Sequence, residues 1–95
     1  MIQNFKLVTG GKRIEGHTRY IEPTILTDVP RDALALNDET FGPLAAIAKF
    51  TDETECMEFL NKARVGLAGY FFSRDHQQIW RVAEAMEVSS FFDFF

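Results

Sequence analysis

Leu44-Ala45-Ala46-Ile47-Ala48-Lys49-Phe50 is a nearly continuous apolar run of strand length, and Thr51-Asp52-Glu53-Thr54-Glu55 follows it at once. A run with so little polar alternation suits a strand covered on both faces, so 44–50 is predicted as the central strand of a sheet. Thr51 or Asp52 can cap the next helix, Asp52 and Glu55 have the spacing of a capping box, and three acids in the opening turns suit the helix dipole. A helix is predicted over about 53–63, with Cys56, Leu60 and Ala63 on one apolar face and Met57 and Phe59 at its margins. Beyond Arg64-Val65-Gly66, residues 67–73 read as a second apolar strand. Strand, helix and strand within about 30 residues make a βαβ unit, which implies parallel pairing. Ser73 or Asp75 then caps a helix over about 75–88, in which Ile79, Val82, Ala83 and Met86 recur at helical spacing and Trp80 borders the apolar face. The fold class read from these patterns is α/β, with a parallel βαβα unit of strands 44–50 and 67–73 and helices 53–63 and 75–88.

Immediately before the first of these strands stands Asn37-Asp38-Glu39-Thr40-Phe41-Gly42-Pro43. An extended backbone aims Glu39 and Phe41 to the same side, and Gly42-Pro43 ends the segment. An ionised Glu can accept charge-assisted hydrogen bonds from two adjacent ribose hydroxyls while a neighbouring Phe packs on an aromatic ring. The same residues also suit an ordinary turn with a solvated acidic face and a buried Phe, since turns favour Asn, Asp, Gly and Pro.

Further upstream, Leu7-Val8 followed by Gly10-Gly11 reads as a short strand ending in a glycine turn. Lys12 does not make this a phosphate loop, because Arg13 stands where that motif needs a Ser or Thr. Residues 20–27 are rich in β-branched and aromatic types but contain Pro23, which cannot donate to a ladder and so predicts an edge strand. Ala33-Leu34-Ala35-Leu36 suits a helical turn or a short strand.

Composition narrows the function classes. Ninety-five residues make at most one small domain, whose limited burial predicts marginal stability. A net charge of -4 excludes a basic nucleic-acid footprint, and no apolar run reaches the length of a membrane span. One cysteine, Cys56, allows no internal disulfide. Its place within a helix, on an apolar face, without an adjacent base, argues for packing rather than nucleophilic chemistry. His17 and His76 match no metal-ligand spacing, so no metal site and no catalytic residue is assigned. The N-terminus carries no recognisable targeting signal.

Glu39-Thr40-Phe41-Gly42-Pro43, preceded by Thr9-Gly10-Gly11-Lys12-Arg13 and Glu22-Pro23-Thr24-Ile25-Leu26 and followed by 65–73 and 78–84, resembles the aldehyde dehydrogenase superfamily. Within it the combination is most similar to the succinate-semialdehyde dehydrogenase type. The resemblance runs from about Lys6 to Val88 and implies that 1–88 is part of the catalytic domain, with 89–95 a divergent Phe-rich tail. It implies a cofactor-binding role for Glu39, at the nicotinamide ribose, and for Phe41, near the nicotinamide, with NAD or NADP as cofactor. In the family reaction a cysteine thiolate adds to the aldehyde, hydride passes to the cofactor, and water releases the acid. The family's thiol and general base lie upstream of the matched motif. The expectation is therefore a part of a homo-oligomeric mitochondrial or cytoplasmic enzyme, inactive as the isolated chain, with nicotinamide dinucleotide and aldehyde as the complete enzyme's partners. A non-catalytic chain that associates with intact subunits, and a truncated product without function, are the alternatives. The tail, with Phe91, Phe92, Phe94 and Phe95 around Asp93, can add to the sheet beside 67–73 or stay unpaired; the second is expected, because alternation would send at least one ring to an uncovered face.

Overall fold

The computed structural model describes residues 5–62, 66 and 68–86 and the backbone of 90–94. The chain divides into two units, Met1–Lys49 and Phe50–Phe95.

In the first unit, β1 (Lys6–Thr9), β2 (Thr24–Thr27) and β3 (Leu44–Ala46) form a sheet in the order β1-β2-β3, and α1 (Leu34–Asn37) lies between β2 and β3 in sequence. β1 runs antiparallel to β2 with a bulge between Leu7 and Thr9, and β3 runs parallel to β2 with Thr24 opposite Leu44 and Leu26 opposite Ala46. Alternation decides which face is covered. Thr24 and Leu26 are buried and Leu44 and Ala46 half-buried, whereas Ile25 and Ala45 face the other way and are exposed. The core of this unit is Leu26, Val29 and Ala33, with Ala35, Leu36, Leu44 and Ala46 packed against it. A one-turn helix satisfies the Ala33–Leu36 ambiguity, with the Asp38 N–H closing onto the Leu34 carbonyl at 2.8 Å.

Two expectations about this sheet are corrected. Residues 44–50 do not form a central, doubly covered strand: the ladder spans Leu44–Ala46 at one end of the strand order, and Ile47 and Phe50 are exposed. Pro23 does not mark an edge strand either. β2 starts one residue later, so the missing donor falls outside the ladder and the strand takes the middle position.

The glycine turn after β1 is fixed by contact. Gly10 and Gly11 have φ of +81° and +84°, a region that L side chains rarely adopt. A Cβ on Gly10 would collide with the Pro23 carbonyl oxygen and lie 2.8 Å from the Thr24 Cα. The Gly11 N–H donates to the Thr24 hydroxyl at 2.9 Å, and that hydroxyl donates to the Glu22 carbonyl at 2.8 Å.

The second unit contains α2 (Glu53–Asn61), β4 (Ala68–Phe72), α3 (His76–Ala85) and β5 (Ser90–Phe94). Caps set the starts of both helices. Asp52 accepts from the Thr54 N–H at 3.0 Å. Asp75 accepts from Gln77 and Gln78 at 3.0 and 3.3 Å, while Ser73 Oγ accepts from the Asp75 N–H and donates to Gln78 Oε1. Both residues named as alternative caps of α3 therefore take part. On α3 the predicted stripe is buried at Ile79, Val82 and Ala83, and Trp80 is 69 % exposed. On α2 Cys56, Met57 and Phe59 are half-buried, Leu60 is exposed, and Ala63 lies outside the described residues.

The parallel pair of this unit is β4 with β5, in register from Ala68 opposite Ser90 to Phe72 opposite Phe94. Within this unit β4, α3 and β5 make a parallel βαβ arrangement. The expectation that the Phe-rich tail stays unpaired is overturned by the same ladder. Backbone hydrogen bonding along a parallel neighbour takes place whichever face each ring occupies.

α2 and α3 are joined at two points. Glu53 receives Arg81 Nε at 2.6 Å and Nη2 at 3.0 Å, a bidentate pair, and Gln78 Nε2 at 3.1 Å. Asn61 Nδ2 donates to the Ala85 carbonyl at 2.7 Å. The Arg81 and Gln78 hydrogen bonds lower the Glu53 pKa from 4.5 to about 2, and the same ion pair raises that of Arg81. A depressed carboxylate contributes stability above its unfolded pKa and loses it as the pH falls through the folded one. Unfolding of the second unit followed by tryptophan fluorescence is expected to become easier as the pH drops from 4.5 towards 2, and Glu53→Gln to flatten that part of the profile.

The two ends of the β1–β3 segment respond differently to a methyl group. Gly42 has no positive φ, and a Cβ there would meet only the Thr40 methyl at 4.0 Å. In urea unfolding, Gly10→Ala is expected to cost about 2 kcal/mol or more through strain and collision, and Gly42→Ala to stay within about 0.5 kcal/mol. Equal effects at the two positions would contradict the packing of the glycine turn.

Candidate functional site

Glu39, Thr40 and Phe41 lie on the connection between α1 and β3, beyond Asp38, whose backbone is extended at φ -103° and ψ 143°. Both predicted cofactor-binding side chains are exposed, and Phe41 is 94 % exposed, the largest value among the exposed large hydrophobic residues described. The buried-Phe reading of this turn is therefore ruled out. A phenyl ring left almost wholly in water contributes nothing to the core of this chain and has its full area available for a ligand or a neighbouring segment.

The loop is held at both ends. At its exit the Leu44 N–H donates to the Gly42 carbonyl at 2.8 Å, closing a tight turn about Pro43, and the Thr24 N–H donates to the Pro43 carbonyl at 2.8 Å. At its entry the Asn37 side-chain amide donates to the Arg31 carbonyl at 2.6 Å and the Ala33 carbonyl at 2.7 Å. Two carbonyl partners fix which way this amide points, since only its NH₂ can serve them. Thr24 and Asn37 were legible only as a strand residue and a turn residue. For Asn37 the available signal was an Asn at the end of a short helix, a type that often bonds nearby backbone.

The remaining candidates stand in their own surroundings. Cys56 is half-buried on α2, and His17 meets Tyr20 edge-on at 5.1 Å between ring centroids. No group of three metal-ligating side chains occurs among the described residues, and no helix there is long and apolar enough to cross a membrane. The turn at Gly10-Gly11 packs against Thr24.

The profile described as the aldehyde dehydrogenase family matches residues 2–92. The chain belongs to the aldehyde dehydrogenase family. It is 55 % identical over 82 residues to the mitochondrial succinate-semialdehyde dehydrogenase of Mus musculus, covering 86 % of this chain and 16 % of that protein. It is 50 % identical over 82 residues to the glutarate-semialdehyde dehydrogenase of Pseudomonas putida, covering 86 % of this chain and 17 % of that protein. The crystal structure of succinate-semialdehyde dehydrogenase from Burkholderia pseudomallei superposes with a TM-score of 0.86 at 43 % identity, over 95 % of this chain and 19 % of that one. The resemblance read from the motifs is thus established for the family, and relatives of the succinate-semialdehyde type are among its matches. Family members use NAD(P) and oxidise aldehydes, and this chain spans about one sixth of the mouse relative's length. Its α/β content agrees with these neighbours.

Proposed function

We propose that this chain supplies the nicotinamide-side cofactor loop of an NAD(P)-dependent succinate-semialdehyde dehydrogenase, an enzyme that oxidises succinate semialdehyde to succinate. The observation that carries the reading is the exposure of Glu39 and Phe41 on a loop anchored at both ends, within a chain 55 % identical to the mouse enzyme. The residues present fit the cofactor's chemistry. An exposed carboxylate can accept from the two ribose hydroxyls, and an uncovered ring can pack on the nicotinamide side. The cofactor, when bound, takes the hydride; Glu39 and Phe41 orient and bind, and neither forms a bond to substrate.

In this reading residues 1–88 are part of the catalytic domain and 89–95 a divergent tail, and the complete enzyme is a homo-oligomer of the mitochondrion or cytoplasm. Cys56 is a packing residue of α2, and the nucleophile belongs to another part of the complete enzyme. The Pseudomonas putida relative, named for glutarate semialdehyde, favours a second reading in which the substrate is one methylene longer.

The isolated 95-residue chain is expected to form no NADH or NADPH from succinate semialdehyde. Steady-state turnover by the purified chain that Cys56→Ser abolishes would show that the assignment of Cys56 is wrong. Glu39 is tested in a full-length enzyme that carries this segment in place of the homologous mouse segment. Glu39→Gln keeps the shape and weakens the charge-assisted bonds, and a small displacement of the reacting ring can cost about 100-fold in rate. Single-turnover hydride transfer is expected to slow by about that factor. Wild-type rates with both nucleotides would return Glu39 to the role of a solvated turn acid.

A further inference from the structure

We propose that Asn37 is a positioning residue for Glu39: its side-chain amide, bound to the Arg31 and Ala33 carbonyls, fixes where the loop leaves α1 and hence where the Glu39 carboxylate stands. The inference rests on the reading of Glu39 as the ribose-binding acid and adds a residue to it.

Three observations carry it. The first is the strength of the anchor. One amide group serves two backbone carbonyls at 2.6 and 2.7 Å, reaching back four residues to Ala33 and six to Arg31. Those carbonyls precede and begin a helix only four residues long, too short to be stable through its own backbone bonds. The second is proximity along the chain. One extended residue, Asp38, separates Asn37 from Glu39, so a rotation at Asn37 is carried directly into the position of the carboxylate. The third is that the far end of the loop is already secured by backbone bonds, from Leu44 to Gly42 and from Thr24 to Pro43. With the exit fixed, the entry decides the loop's remaining freedom.

Asn37 is exposed, so its replacement leaves the core of Leu26, Val29 and Ala33 in place. Asn37→Ala removes both donors. Asn37→Asp keeps the shape but turns a carboxylate towards two carbonyl oxygens. In a full-length enzyme carrying this segment, both variants are expected to slow single-turnover hydride transfer about 10-fold and to raise KM for the nucleotide, with little change in Tm. A positioning role predicts non-additivity. In a Glu39→Gln background, Asn37→Ala is expected to slow hydride transfer less than about 2-fold further. In the 95-residue chain itself, the amides of Leu36 and Asp38, which close α1, are expected to exchange about 10-fold faster in Asn37→Ala.

Full additivity with Glu39→Gln would overturn the proposal, as would unchanged amide exchange. Wild-type hydride transfer in both Asn37 variants, alongside a slow Glu39→Gln, would sink the role of Asn37 and leave that of Glu39 standing. A silent Glu39→Gln removes the reading on which both depend.

Discussion

Thr24 is the point through which the first half of the chain is tied together. It is a buried polar residue, 9 % exposed, and each of its bonding groups is used on a different segment. Its N–H holds the Pro43 carbonyl at the end of the motif loop, and its hydroxyl accepts from Gly11 and donates to Glu22. A hydroxyl taken out of water without partners would cost roughly 1 to 3 kcal/mol, so satisfying it in both directions is what allows β2 to sit in the middle of the sheet. The glycine turn follows from the same contact, because the backbone of Gly10 comes too close to Pro23 and Thr24 to leave room for a side chain. The position of the loop bearing Glu39 therefore depends on packing around a residue far from it in sequence.

The second half relies on local chemistry at helix ends. Asp52 caps α2, Ser73 and Asp75 together start α3, and Glu53 links the two helices through Arg81 and Gln78. The Glu53–Arg81 pair is partly solvated, with side chains 27 % and 56 % exposed, so its bidentate geometry orients the helices more than it stabilises them. The Lys49–Asp28 pair at 3.8 Å, with both side chains well exposed, contributes less still.

Much apolar surface remains open on both units, including Ile25 on the sheet, Tyr70 and Phe72 on β4, and Trp80 on α3. No side chain is buried to below 2 % among the described residues. A chain that spans about one sixth of its mouse relative has too little surface to cover on all sides the two sheets and three helices of its described residues. The same economy accounts for Phe41: its exposure is costly to the isolated chain and useful only to something that covers the ring.

How much was legible depends on the range of the interaction responsible. The helices α2 and α3, their capping residues and the buried stripe of Ile79, Val82 and Ala83 follow from neighbours within a turn or two, and the sequence alone determined them. It also determined the family, because several ordered motifs around Glu39-Thr40-Phe41-Gly42-Pro43 are far more specific than any one of them. Strand partners were not legible. Apolar runs at 44–50 and 67–73 look alike whether they pair with each other or with a third strand, and only tertiary structure set β3 beside β2 and β4 beside the Phe-rich β5. The same holds for Pro23, whose effect on the sheet turned on where the ladder begins. At the candidate site, Glu39 and Phe41 were named from their sequence, whereas the anchors Thr24 and Asn37 came only from the fold. Their hydrogen bonds reach backbone carbonyls and amides, groups that every residue carries and that no sequence pattern marks.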